Sequence, residues 1–84
     1  VTLRGVFVRE TILCEIIPDP PSNLNTAIPE PSPDAPTMRD RVAIHLEVEY
    51  CAGCHRLTDP IGLGLEQFDG IGRFRLTDND HPID

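Results

Sequence analysis

Between Pro18 and Pro36 the chain places seven of its nine prolines, with Ser, Asn and Asp among them. Proline fixes φ and offers no N–H, so this stretch makes neither a helix nor a central strand. It reads as an extended, polyproline-like loop. Within 84 residues that leaves residues 1–17 and 37–84 for regular structure, and one small domain over 1–84. The plainer reading of 18–36 is a spacer wrapped over the domain surface. A docking segment for aromatic-grooved modules lacks the basic residues that would give it specificity.

Residues 1–17 have the pattern of an amphipathic helix. Leu3, Val6, Phe7, Leu13, Cys14 and Ile17 recur at three- and four-residue intervals, and Arg9, Glu10 and Glu15 fall mostly on the other side. Gly5 and the β-branched residues oppose it, with a strand over Val6–Val8 as the competitor. Any helix ends before Pro18. The next helix is expected from an N-cap at Thr37 to about Tyr50, with Asp40 in its first turn. Met38, Val42, His45 and Leu46 share one face of it, and Arg39, Arg41 and Glu47 lie elsewhere.

Asp59-Pro60 reads as an N-cap followed by proline at the first helical position. Ile61, Leu65 and Phe68 then form a short apolar stripe, and Gly70 and Gly72 end it. Arg73–Leu76 alternates as a strand, Asp78-Asn79-Asp80 is a turn, and His81–Asp84 is the return strand of a hairpin. The expected fold is therefore mostly α: about three short helices, a long Pro-rich loop and a C-terminal β-turn or hairpin.

The formal charge of −7, from fourteen acidic and seven basic side chains, argues against nucleic acid or an anionic membrane surface as partner. Every basic side chain is Arg. No stretch is long and apolar enough to span a bilayer. Aromatics are scarce (Phe7, Tyr50, Phe68, Phe74), and a chain this short is often marginal without a cofactor, metal, disulfide or partner. It begins at Val1 with neither an initiator Met nor a signal sequence, so it is expected to be a piece of a larger protein or a processed product.

The chemistry concentrates in Cys51-Ala52-Gly53-Cys54-His55, the c-type haem attachment pattern. Two thiols three positions apart each add across one vinyl group of a haem, and the adjoining imidazole reaches the iron. Small residues at Ala52 and Gly53 let the backbone pass close to the porphyrin edge. Haem c would also give the scarce Leu, Ile, Val and Phe side chains a disc to pack against. Structural zinc is the rival, with Cys14, Cys51, Cys54 and one of His45, His55 or His81 as four ligands. It lacks a second short-spaced ligand pair. A Cys51–Cys54 redox dithiol lacks the surrounding βαβ pattern. Covalent haem is joined outside the cytoplasm, which implies a periplasmic, extracellular or cell-surface location.

Four blocks carry a resemblance to a known family. They are Arg4-Gly5-x-Phe7-Val8-Arg9-Glu10-x-x-Leu13-Cys14, the proline-rich loop, Cys51-Ala52-Gly53-Cys54-His55-Arg56, and Asp59-Pro60-Ile61-Gly62 continuing through Glu66-x-Phe68-Asp69-x-Ile71-Gly72-Arg73. Together they resemble the planctomycete-type cytochrome c family, haem-motif segments near the C-terminus of large, multi-domain, exported bacterial proteins of unknown function. The resemblance implies haem attachment at Cys51 and Cys54 with His55 as proximal ligand, and no established substrate. The best-known cytochromes c differ, because there a distal Met follows far downstream of the motif.

For the far side of the iron the first candidate is His45, on the inward face of its helix; the alternative is a half-buried histidine capped by a backbone carbonyl. Met38 is the second candidate, with core filler as its plainer role. His81, in a turn, is expected to face solvent. Arg56, Arg73 and Arg75 are candidates for pairing with haem propionates, Arg56 foremost because it follows the ligand; surface charge is their ordinary role. Cys14 reads as a small buried hydrophobe, and Glu47/Glu49 and Asp78/Asp80 as solvated faces. The leading functional expectation is an electron-transfer module serving other domains of a parent protein and a redox partner. A five-coordinate haem for peroxide or a gas, and a zinc-stapled structural domain, are the alternatives.

Overall fold

The computed structural model describes residues 1–83, and helix α1 (Thr2–Phe7) continues into a wider π-helical turn over Val8–Ile12. Asp84, expected in the return strand, lies outside the described residues. Cys14 closes this first segment in the left-handed region at φ 56°, and the N–H of Glu15 reaches back to the carbonyl of Arg9 at 2.8 Å. A left-handed residue at a helix end releases the chain in a new direction. The helix thus stops well short of residue 17, and Cys14 is exposed, not buried.

The face that α1 buries is not its expected apolar stripe. Leu3, Phe7 and Leu13 are exposed, and Gly5 is the buried residue. A Cβ built at Gly5 would collide with the backbone carbonyl of Thr58, and one at Gly62 with that of Val1. Two glycines therefore let the backbones of α1 and α4 (Glu49–Leu63) touch. Arg4 extends the contact, donating to the carbonyls of Leu65 at 2.9 Å and Asp69 at 2.6 Å. Arg9 Nε donates to the carbonyl of Leu57.

Thr37 caps α2 (Met38–Val42) as its sequence predicts. Its hydroxyl accepts from the Asp40 N–H at 3.2 Å, and Asp40 Oδ2 accepts from the Thr37 N–H at 3.0 Å, a reciprocal capping box. The single helix expected to reach Tyr50 is instead three pieces. After α2 the chain tightens at Ala43, resumes as α3 (Ile44–Glu47), and turns extended at Val48 (φ −81°, ψ 110°) before α4 begins. Val42, Ile44 and Val48 are β-branched, which weakens a continuous helix. The carbonyl of Val48 then accepts from both Cys51 and Ala52 at 2.9 Å.

A separate helix starting at Asp59-Pro60 is also overturned. Both residues lie inside α4, which runs to Leu63 and ends at Gly64, before Gly70. Pro60 removes one helical hydrogen bond, yet Asp59 is fully buried with partners from α1. Contact with α1 holds the helix through the proline.

The C-terminal segment carries an isolated bridge between Phe68 and Phe74, whose rings meet edge to face at 5.9 Å. Arg73–Leu76 forms no strand; the pairing is displaced to β1 (Thr77–Asp78) and β2 (His81–Pro82), antiparallel with Thr77 opposite Pro82. Asn79 and Asp80 make the turn with φ of 48° and 64°, the backbone that a two-residue hairpin requires. Asp78 ties this hairpin to α2 by accepting the Met38 N–H at 2.6 Å. Arg75 bonds Asp78 at 3.1 Å and Glu66 at 2.9 Å. The fold is mostly α with a two-stranded hairpin, and Val42, Ala52 and Leu63 are its buried apolar side chains.

Candidate functional site

Residues 51, 54 and 55 fall on one side of α4 because three- and four-residue spacing returns to the same helical face. Cys51, Cys54 and His55 all line one cavity of about 770 Å³, within the range of pockets that hold cofactors. Leu3 and Val6 of α1, Val1 just before that helix, Val42 of α2 and His45 of α3 also line it. The remaining wall is the proline-rich loop, through Ile17, Pro18–Pro21, Leu24 and Ile28. The loop is thus part of the site and more than a spacer. Cys51 is half-buried, Cys54 is exposed, and both are free thiols.

Beneath the cavity, Asp59 gathers four partners. Its Oδ1 accepts from Thr2 Oγ1 at 2.8 Å and Thr58 Oγ1 at 3.2 Å. Its Oδ2 meets His55 Nδ1 at 2.9 Å, with His45 Nδ1 at 3.8 Å. Thr2 Oγ1 is also 3.5 Å from His55 Nδ1. Asp59 is 0% exposed, and a carboxylate at that depth needs such donors. Asp59, whose position before Pro60 predicts a helix cap, instead supports His55, and Thr2 joins it without any sign in its own stretch of chain. The His-x-x-x-Asp spacing was the available signal, since it sets the two side chains one turn apart on one face.

His45 packs its ring on that of His55, with centroids 4.4 Å apart and planes tilted by 39°. Its Nδ1 is buried without a hydrogen-bond partner. Burial, and then the neighbouring His55, hold its pKa below the ordinary 6.5, against the opposing pull of Asp59. His45, His55 and Asp59 offer ligand atoms that all lie within 4.8 Å of one another, a set able to hold a metal ion.

The other candidates lie elsewhere. Met38 is half-buried in a small hollow beside Asp78 and Ile83. His81 is exposed, with Nδ1 2.8 Å from the carbonyl of Asn79. Arg56 is exposed and outside the cavity wall, while Arg75 is held by Glu66 and Asp78. Cys14 does not join Cys51 and Cys54 on the cavity wall, and among the described residues the ligand atoms that gather are those of His45, His55 and Asp59.

The residues suit a haem joined through Cys51 and Cys54. The cavity is largely apolar, both thiols reach it, and His55 has Nδ1 engaged while Nε2 carries no hydrogen bond among the described residues. A small, mostly helical domain with a Cys-x-x-Cys-His face turned to an apolar cavity is the class that fold and site define. The chain belongs to the family PSCyt3, protein of unknown function (DUF1588), whose model matches residues 1–78. That family is a planctomycete cytochrome c-related domain, which suggests a part of a larger protein. No curated protein and no solved structure matches the chain. Among the described residues no helix is long and apolar enough to cross a membrane.

Proposed function

We propose that this domain is a covalent c-type haem module that passes single electrons within a larger exported protein. One observation carries the reading: both thiols of the motif and the imidazole beside them open onto the same apolar cavity. Cys51 and Cys54 would hold the haem and His55 Nε2 would ligate its iron. The haem, when bound, supplies the one-electron chemistry. The chain's own part is to exclude water with α1 and the proline loop and to hold His55 by Asp59. Cys54 is exposed, which sets the attachment edge near the surface, where a redox partner can approach. Covalent attachment would put the parent protein in the periplasm, outside the cell or at its surface.

The 4.4 Å ring contact favours a second reading of the distal side. Two imidazoles on opposite faces of one iron, each bonded at about 2 Å, have ring centres about 6 Å apart. His45 could serve as a second iron ligand only if the rings moved apart to that separation. Otherwise His55 alone would hold the iron, leaving it open to peroxide or a gas.

Maturation with the periplasmic haem-attachment machinery tests the reading. The intact mass should rise by one haem, with thiols 51 and 54 blocked to alkylation. Cys51→Ala and Cys54→Ala together should abolish the attachment. Carbon monoxide then separates the distal readings, since it binds a reduced five-coordinate iron and leaves a bis-His iron unchanged. A matured chain that stays colourless and carries zinc would falsify both haem readings.

A further inference from the structure

Asp59 is a fully buried carboxyl group at the base of the cavity that Cys51, Cys54 and His55 line. Its two oxygens are shared unequally: Oδ1 takes the hydroxyls of Thr2 and Thr58, and Oδ2 faces His55 Nδ1 at 2.9 Å. A carboxylate only accepts, so the proton of that bond sits on Nδ1 and Nε2 keeps its lone pair. Metal-bound histidines are oriented by such outer carboxylates, which also raise the basicity of the ligating nitrogen. The two hydroxyls anchor the carboxylate, one from α1 and one from α4.

We infer that Asp59 is a positioning residue for His55, fixing its Nδ1–H tautomer and lowering the reduction potential of the iron that His55 ligates. The inference rests on the haem reading above. A more electron-donating imidazole favours the oxidised metal, and hydrogen bonding around the ligand is one of the protein's levers on potential. Thr2 makes this control dependent on α1, because its hydroxyl comes from a segment 57 residues away.

The test uses Asp59→Asn in the haem-loaded chain. The amide is nearly isosteric, can still accept from His55 through its oxygen, and can donate to hydroxyls that reverse their direction. Haem attachment and the visible spectrum should persist. The one-electron equilibrium should move at least tenfold toward the reduced form, about 59 mV. Thr2→Val, which removes the anchor from half-buried ground, should move it the same way by less, and Thr2→Ser should restore it. An unchanged potential in Asp59→Asn with haem attached would overturn the inference. If Asp59→Asn does not fold, the Thr2 pair decides by the same measure. A chain that takes no haem defeats the preceding reading instead; the nitrogen-15 shifts of His55 in the unloaded chain then decide, and an Nε2–H tautomer overturns the inference.

Discussion

His55 Nδ1 stands 2.9 Å from Asp59 Oδ2, one turn further along the same helix, and His45 Nδ1 approaches the same oxygen only to 3.8 Å. One oxygen thus faces two imidazoles and bonds one of them. The inequality gives the two histidines different roles, His55 fixed and His45 left with an unpartnered buried nitrogen.

His45→Leu is accordingly expected to raise the stability of the unloaded chain by about 1 kcal/mol, because an unsatisfied buried nitrogen costs about 1–3 kcal/mol. Urea unfolding measures it. In the matured chain the same variant should leave covalent haem in place, and a change from a low-spin to a high-spin spectrum would make His45 a ligand after all.

Backbone contact between α1 and α4 leaves no room for a methyl group at Gly5 or Gly62. Gly5→Ala and Gly62→Ala should each destabilise the domain by about 1–3 kcal/mol or more, the cost of overpacking. Gly53, inside α4 with nothing within 4 Å of a built Cβ, is the control. Gly53→Ala should stabilise the unloaded chain by about 0.5–1 kcal/mol through helix propensity. Thermal melts of the three variants give the comparison.

Asp78 joins the hairpin to the start of α2 through the Met38 N–H and to Arg75. Asp78→Ala should cost about 1–2 kcal/mol, the scale of a lost helix cap. Hydrogen exchange should quicken at the Met38 amide before it changes in α4. Equal acceleration in both places would deny the hairpin this local role.

The carboxyl of Asp40 is held below its ordinary 3.8 by the Thr37 hydroxyl and then by the Thr37 N–H. Asp69 is held below the same value by the N–H of Arg73 first, with that of Ile71 adding to it. Both groups bind protons less readily in the folded chain, so their contribution to stability is present above pH 3.8 and is lost as pH falls through the lower folded values. Thr37→Val should lower stability at neutral pH, where both carboxylates are ionised, and flatten the acid limb so that the difference from the parent chain shrinks as pH falls below about 4. Unfolding curves in acetate and glycine buffers check the slope.

Some of this architecture was legible residue by residue. Thr37 with Asp40 marked its helix start because a capping box involves only neighbours, and Asn79-Asp80 marked its turn for the same reason. The grouping of Cys51, Cys54 and His55 followed from helical spacing once a helix was granted. The breaks at Ala43 and Val48 were less legible, since β-branched residues weaken a helix without saying where it yields.

Asp59-Pro60 shows where local reading ends. An aspartate before proline suits a helix start, and within four residues only His55 speaks against it, by a spacing that is common on any helix face. Thr2 does so too, from 57 positions away, by taking the carboxylate into the α1–α4 contact and carrying the helix through the proline. Short-range chemistry settled the capping box at Thr37, the turn at Asn79-Asp80 and the shared helix face of Cys51, Cys54 and His55. Packing of distant backbones settled that Thr2 anchors Asp59 from α1 and that the proline loop walls the cavity, because those contacts join residues whose own stretches of chain carry no sign of each other.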